Sequence, residues 1–236
     1  MLRNAKRVYD RATVRALGAA EYVVALDGRD VRTPAKRLLV LPTRALALGV
    51  ALEWEAQGTH LRPDTMPLMK LATTTIDQVP TIRPTMVESM IRCLESDAAC
   101  FRSSEEPMLA AKEEGAYAQL LEWAGNDLGL RLSVSDNLAL QHPSEAVPRA
   151  QELLGLADDW ELAALDQAAN TAKSLVIALA LVRGRIRAAD ACAAARVAEQ
   201  HQIDEWGEVE AGHDLDAADV AVRIGASSTF MRMLGR

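Results

Sequence analysis

The sequence predicts an α+β protein, a small amino-terminal β domain followed by a larger, mostly α-helical domain. Three observations carry that reading. β-Branched and aromatic residues cluster over residues 8–41, around an Asp27-Gly28 pair suited to a type I′ hairpin turn. From residue 44 onward helix formers dominate and apolar residues recur at helical spacing. Between the two patterns, Pro63, Pro67, Pro80 and Pro84 punctuate the chain. The expected organisation is a β domain with one helix over 1–62, a linker with short helices over 63–84, and a helical domain over 85–236.

Taken in order, Val8, Tyr9, Thr13 and Val14 suit a pleated surface. Residues 22–26 run into the Asp27-Gly28 turn, 29–32 return, and Thr33-Pro34 ends that strand. Residues 38–41 form a further short strand stopped by Pro42. Thr43 can cap a helix over 44–57, with Leu46, Val50, Glu53 and Trp54 near one side and Gly58 past its end. Helices follow at 85–94 and 107–128, separated by an extended piece at 98–102, and 130–134 with 137–141 suggest a second small β excursion. The pattern then predicts helices at 144–154, 160–182, 190–210 and 219–234, the last with Val220, Ile224, Met231 and Leu234 on one stripe. Trp54, Trp123 and Trp160 read as core packing.

A chain of 236 residues with a formal charge of −7 and a pI near 5.2 lacks the basic surface that neutralising phosphates requires, so nucleic acid is not an expected partner. Its longest strongly apolar run, 175–182, is far short of the roughly 20 residues of a membrane span and reads as a buried core helix. Cys93, Cys100 and Cys192 show neither C-x-x-C spacing nor an even count, which suits a reducing compartment. Residues 1–7 carry Arg3, Lys6 and Arg7 without an acid, too short for a transit peptide but consistent with the remnant of one. The phosphate-cradling loop, the dinucleotide Gly-x-Gly-x-x-Gly and the Gly-x-Ser-x-Gly elbow are all absent.

The stretch that draws functional interest is 199–236. Wound as a helix at roughly 100° per residue, Glu199, Ile203, Trp206 and Glu210 share a stripe, while His201, Asp204, Glu205 and Glu208 face the other way as a solvated side. A carboxylate on an apolar face needs a partner, either within the fold, for instance Arg196, Arg223 or a backbone amide, or on another molecule. The second possibility makes Glu199, Ile203, Trp206 and Glu210 candidate partner-binding residues. Gly207, read as interior to a helix, hints at a bend or a close backbone approach. A metal-assisted hydrolase using His201, Glu205, Glu208, His213 and Asp214 is the alternative, against the plainer reading of an exposed charged face with Asp214 or Asp216 capping the last helix. Asp64 and Asp77 read as turn or cap residues. Met66, Met69, Met86 and Met90 fit either core packing or an adaptable apolar groove.

The stretches LDGRDVRTP (26–34), LVLPTRALA (39–47), EWEAQG (53–58), PDTMPLMKLATTTID (63–77), DAACFR (97–102) and QIDEWGEVEAGHD (202–214) together resemble the Atp-twelve family, assembly chaperones that escort the alpha subunit of the F-type ATP synthase. The resemblance implies the two-part fold read above and a non-enzymatic role. It implies binding of the free alpha subunit, shielding of its beta-contacting surface until the hexamer forms, and no cofactor or metal; a monomer is expected separately from it. In the family an acidic residue of the carboxyl-terminal motif matters for activity, and the resemblance places it at Glu210, with Glu199 and Glu208 as alternatives. The sequence after the Trp206-Gly207 pair is closer to mitochondrial members, so the mitochondrial matrix is expected, with the cytoplasm of an alphaproteobacterium as the alternative. A general holdase or scaffold is the remaining rival.

Overall fold

Asp27 and Gly28 reverse the chain with φ of +46° and +81°, the paired left-handed conformations of a type I′ turn. The Asp27 carboxylate accepts from the Asp10 and Arg11 backbone N–H groups, both at 2.9 Å, and these bonds hold its carboxyl below the usual range. The turn joins β2 (Glu21–Leu26) to β3 (Arg29–Asp30), and β1 (Ala12–Gly18) pairs antiparallel with β2 from Ala12 opposite Leu26 to Gly18 opposite Glu21. β4 (Val40–Leu41) also pairs with β2, setting Val23 opposite Val40. The strand reading of Val8 and Tyr9 is corrected. Val8 is exposed, whereas Tyr9 is buried so that its hydroxyl donates to the Trp54 carbonyl at 2.7 Å and its ring meets Trp54 edge-on at 5.8 Å.

The computed structural model describes residues 5–137, 140–207 and 213–236, and the chain divides into two units, Met1–Arg83 with Thr229–Arg236, and Pro84–Ser228. In the first, α1 (Arg44–Glu55) starts where Thr43 accepts from the Leu46 N–H at 3.1 Å and buries Leu46, Ala47, Val50, Ala51 and Trp54 against β1 and β2. Thr43 also donates to the Met233 carbonyl at 2.6 Å. Gly49 admits the chain end: a Cβ there would lie 2.7 Å from the Met233 sulfur. Residues 63–77 hold a 3-10 turn (Pro63–Thr65) and α2 (Pro67–Asp77). Glu53 is recruited across this unit to cap α2, its carboxylate accepting from the Leu68 and Met69 N–H groups, each at 2.7 Å. Burial nevertheless pushes that carboxyl up to about 7, against the lowering by its two N–H donors. Asp77 ties the 33–37 loop to the end of α2, accepting from the Thr33 hydroxyl at 2.8 Å and the Ala35 N–H at 2.9 Å.

The second unit surrounds α7 (Leu175–Val182), every residue of which is buried. Asp97, with no exposed surface, caps it by accepting from Leu175 at 2.7 Å and Val176 at 3.3 Å, while also accepting from Ala99 at 3.0 Å. Burial raises the Asp97 carboxyl above its ordinary range although Ser174 and three N–H groups oppose the shift. α3 (Val79–Leu94), α4 (Pro107–Asp127), α5 (Ala146–Leu156), α6 (Asp159–Ala172), α8 (Ala188–Ala195), α9 (Val197–Trp206) and α10 (His213–Met233) complete the helices. None of the described helices is long and apolar enough to cross a membrane.

Small amino-terminal sheet followed by helices is the α+β class expected, but several boundaries move. The helix expected over 160–182 is two, because Lys173 turns left-handed at φ +52° and Ser174 caps α7 through the Ile177 N–H at 3.0 Å. The one expected over 190–210 breaks at Arg196 and stops at Trp206. α3 starts at Val79 and carries Pro84 inside it, and α10 starts at His213 rather than Asp219. Residues 98–100 form a 3-10 turn, and the second β excursion is a single bridge between Phe101 and Ser135 among the described residues. Leu138 and Ala139 lie outside them. Met66, Met69, Met86 and Met90 are all buried, which removes the methionine groove.

Two consequences are measurable. Asp97→Ala leaves the Leu175 and Val176 N–H groups without an acceptor in a dry site, so urea unfolding shows a loss of about 3 kcal/mol. Glu53 titrates near 7 in the fold against 4.5 when unfolded, so the folded chain binds more protons between those values and its contribution to stability falls as pH rises through about 7. Unfolding curves across that window show Glu53→Gln gaining on the parent chain with rising pH, by about 3 kcal/mol at most.

Candidate partner-binding site

α9 has few apolar residues, and its orientation is set by polar contacts with α4. Tyr117 of α4 donates its hydroxyl to the Ala194 carbonyl at 3.0 Å, just before α9, and the far end of α9 meets the start of α4. The two helices therefore run antiparallel. His201 is the one residue of α9 that is buried, with 4% of its surface exposed. Its Nε2 lies 2.8 Å from the Glu106 carboxylate and its Nδ1 lies 3.2 Å from Lys112 Nζ. The ammonium has no lone pair, so Nδ1 accepts and Nε2–H donates to Glu106: the arrangement fits the neutral imidazole. Lys112 also reaches Asp204 at 2.7 Å, and together with the Gln200 amide it holds the Asp204 carboxyl below the usual range.

That geometry turns α9 relative to the expected face. His201, read as solvated, is the buried anchor, because α4 and the Glu106 that precedes it offer a partner to each ring nitrogen. Trp206 is 75% exposed, while Ile203 and Glu199 are half-buried. Glu199 has Lys173 at 4.0 Å as its cation, not Arg196 or Arg223, which pair with Asp216 at 3.6 Å and Asp219 at 2.8 Å. Gly207 is not interior to a helix. It ends α9 at φ +85°, and nothing lies within 4 Å of where a Cβ would stand, so the backbone turn rather than a close neighbour calls for glycine. Glu210 and Glu208 fall outside the described residues.

Further apolar surface follows on α10, where Leu215 is 69% exposed and Val222, two turns on, 49%. Acid accompanies it: Asp204 and Glu205 precede Trp206, and Asp214 and Asp216 sit in the first turn of α10, favourably placed for the helix dipole. The metal reading loses its first ligand, since both His201 nitrogens are occupied and an ammonium sits where a cation would bind. Among the described residues no three potential ligands gather. Sequence reasoning missed Glu106 and Lys112, whose only signal was their spacing of six on a helix start, too common to point at a histidine about ninety residues away. An open cleft beside Arg7 offers nothing in its place, because the guanidinium is spent on the carbonyls of Tyr9, Asp10, Glu55 and Gln57.

Residues 6–125 match the family model described as ATP12 chaperone protein. The chain is 25% identical to the mitochondrial protein atp12 of Schizosaccharomyces pombe over 97% of its own length and 83% of the relative's. Solved structures extend the likeness through the candidate site. Atp12 from Paracoccus denitrificans superposes with a TM-score of 0.87 at 28% identity, covering 97% of this chain and 98% of that one. A protein of Agrobacterium tumefaciens gives 0.88 at 31% identity, over 97% and 86%. The relatives thus come from a mitochondrion and from bacteria, the two settings the sequence reading allows. By the matched model, the shared sequence and the shared fold, the chain belongs to the ATP12 chaperone family.

Proposed function

We propose that the chain is a non-enzymatic assembly chaperone of the F-type ATP synthase that binds the unassembled alpha subunit and covers its beta-contacting surface until the hexamer forms. The observation that carries this reading is the exposed indole of Trp206 at the end of α9, preceded in the chain by Asp204 and Glu205 and followed by the exposed Leu215 and Val222. Large aromatics are common anchors in protein interfaces, and a tryptophan left in water on a folded protein has given up the burial that would have stabilised it. An unassembled subunit exposes an apolar assembly face that aggregates unless covered. Apolar contact from α9 and α10 supplies the cover, while carboxylates of the 199–210 stretch, Glu210 foremost, fix the register by meeting an arginine or an amide. Affinity stays moderate, since the beta subunit displaces the chaperone only through its own favourable binding free energy.

Glu210→Lys is expected to leave the thermal unfolding midpoint unchanged and to abolish capture of purified alpha subunit. Normal capture by that folded variant removes Glu210 from the site. Trp206→Ala is expected to weaken capture at least about tenfold, the scale of an interface anchor. Tagged protein in a mitochondrial or bacterial extract should retain the alpha subunit selectively; indiscriminate retention of unfolded chains would instead mark a general holdase.

A further inference from the structure

Capture through Trp206 requires that the end of α9 be held in place, and no apolar side chain of α9 is buried, Ile203 being only half-buried. The only buried side chain on the helix is an imidazole. Lys112 grips the turn from His201 to Asp204, at 3.2 Å and 2.7 Å, two residues before Trp206, the last residue of the helix. Glu106 closes the other side of the ring at 2.8 Å. We propose that Lys112 and His201 are positioning residues for partner capture: a neutral imidazole clasped between the Glu106 carboxylate and the Lys112 ammonium fixes where Trp206 stands, and a proton on that imidazole undoes the clasp. The proposal rests on the reading of the α9 end as the docking site.

The chemistry of the ring makes the clasp sensitive to one proton. A neutral imidazole has one donor and one acceptor nitrogen, which match Glu106 and Lys112 respectively. Protonation turns Nδ1 into a donor facing an ammonium 3.2 Å away, a like-charge contact with no acceptor between. Lys112 must then swing out, and the turn carrying Asp204 loses its tie to α4. The charged groups facing His201 are Glu106, just before α4, Lys112 of α4 and Asp204 from its own helix. The other charges paired to the α9 region, Lys173 with Glu199 and Asp216 with Arg196, act nearer its start. Glutamine reproduces the neutral ring's pattern, its amide N–H donating to Glu106 and its oxygen accepting from Lys112, and it does not titrate.

The test compares the parent chain, Lys112→Met and His201→Gln, each at about pH 7.5 and about pH 5.5, which bracket the range in which imidazoles titrate. Capture of purified alpha subunit by the parent chain should fall about tenfold at the lower pH, while His201→Gln holds its capture at both. Lys112→Met should be about tenfold weaker at the higher pH with an unchanged melting midpoint. Imidazole nitrogen resonances should report the Nε2–H tautomer at the higher pH, and amide protection over residues 203–206 should drop on acidification in the parent chain alone. Identical pH profiles for the parent and His201→Gln, full capture by Lys112→Met, or an Nδ1–H tautomer overturns the proposal. If the parent chain captures no alpha subunit at either pH, the functional reading fails, and the tautomer and the amide protection decide the clasp by themselves.

Discussion

The second unit depends on the Asp97 carboxylate. α7 is apolar at every position and wholly buried, so the N–H groups of its first turn have no access to water and none of its own side chains can receive them. An uncompensated amide in such a place costs on the order of 1–3 kcal/mol, and there are several. Ser174 takes one from within the helix start, and Asp97 takes two more from a point 78 residues earlier in the chain. Burial alone would drive this carboxyl toward its neutral form, yet the donors arranged about it match an ionised acid. The same side chain accepts from Ala99, so the turn after α3 and the start of the central helix are fastened to one point.

The first unit repeats the device with different residues. Glu53 closes the start of α2, Asp77 closes the 33–37 loop onto the end of α2, and Asp27 receives two N–H groups from the segment entering β1. These bonds hold elements distant in sequence at fixed register, which exposed ion pairs such as Arg92 with Glu88 do not, since solvent screens them and side-chain entropy opposes them. Hydrophobic burial drives each unit together; the carboxylates decide where each segment stops.

Local chemistry made the early elements legible. Asp27-Gly28 admits one turn readily, and Thr43 before an amphipathic run marks a helix start. The breaks at Lys173 and Arg196 were not legible, because alanine-rich and leucine-rich runs carry no proline or glycine there, and after Lys173 the next helix start is fixed by Asp97 from elsewhere in the chain. For the same reason the face of α9 was misjudged. Periodicity sorts side chains by polarity, and a histidine whose two nitrogens meet α4 is buried without being apolar, while a tryptophan one turn beyond that contact is left outside. Glu53 shows the converse: its position beside Trp54 on the inner face was visible, but its partners, two amides of the next helix, were not.

A helix stabilised chiefly by packing turns its largest apolar side chain inward, because burying an indole is worth more than any single hydrogen bond nearby. α9 does the opposite. It commits a histidine to the interior, secures it with two charged side chains that keep substantial exposure, and leaves Trp206 in solvent. Such an arrangement forgoes the stability that burying the ring would give, and under the proposed function a second molecule that covers the ring recovers it. Holding the helix by polar bonds, with Ile203 only half-buried, leaves Trp206 outside, where the proposed partner would meet it.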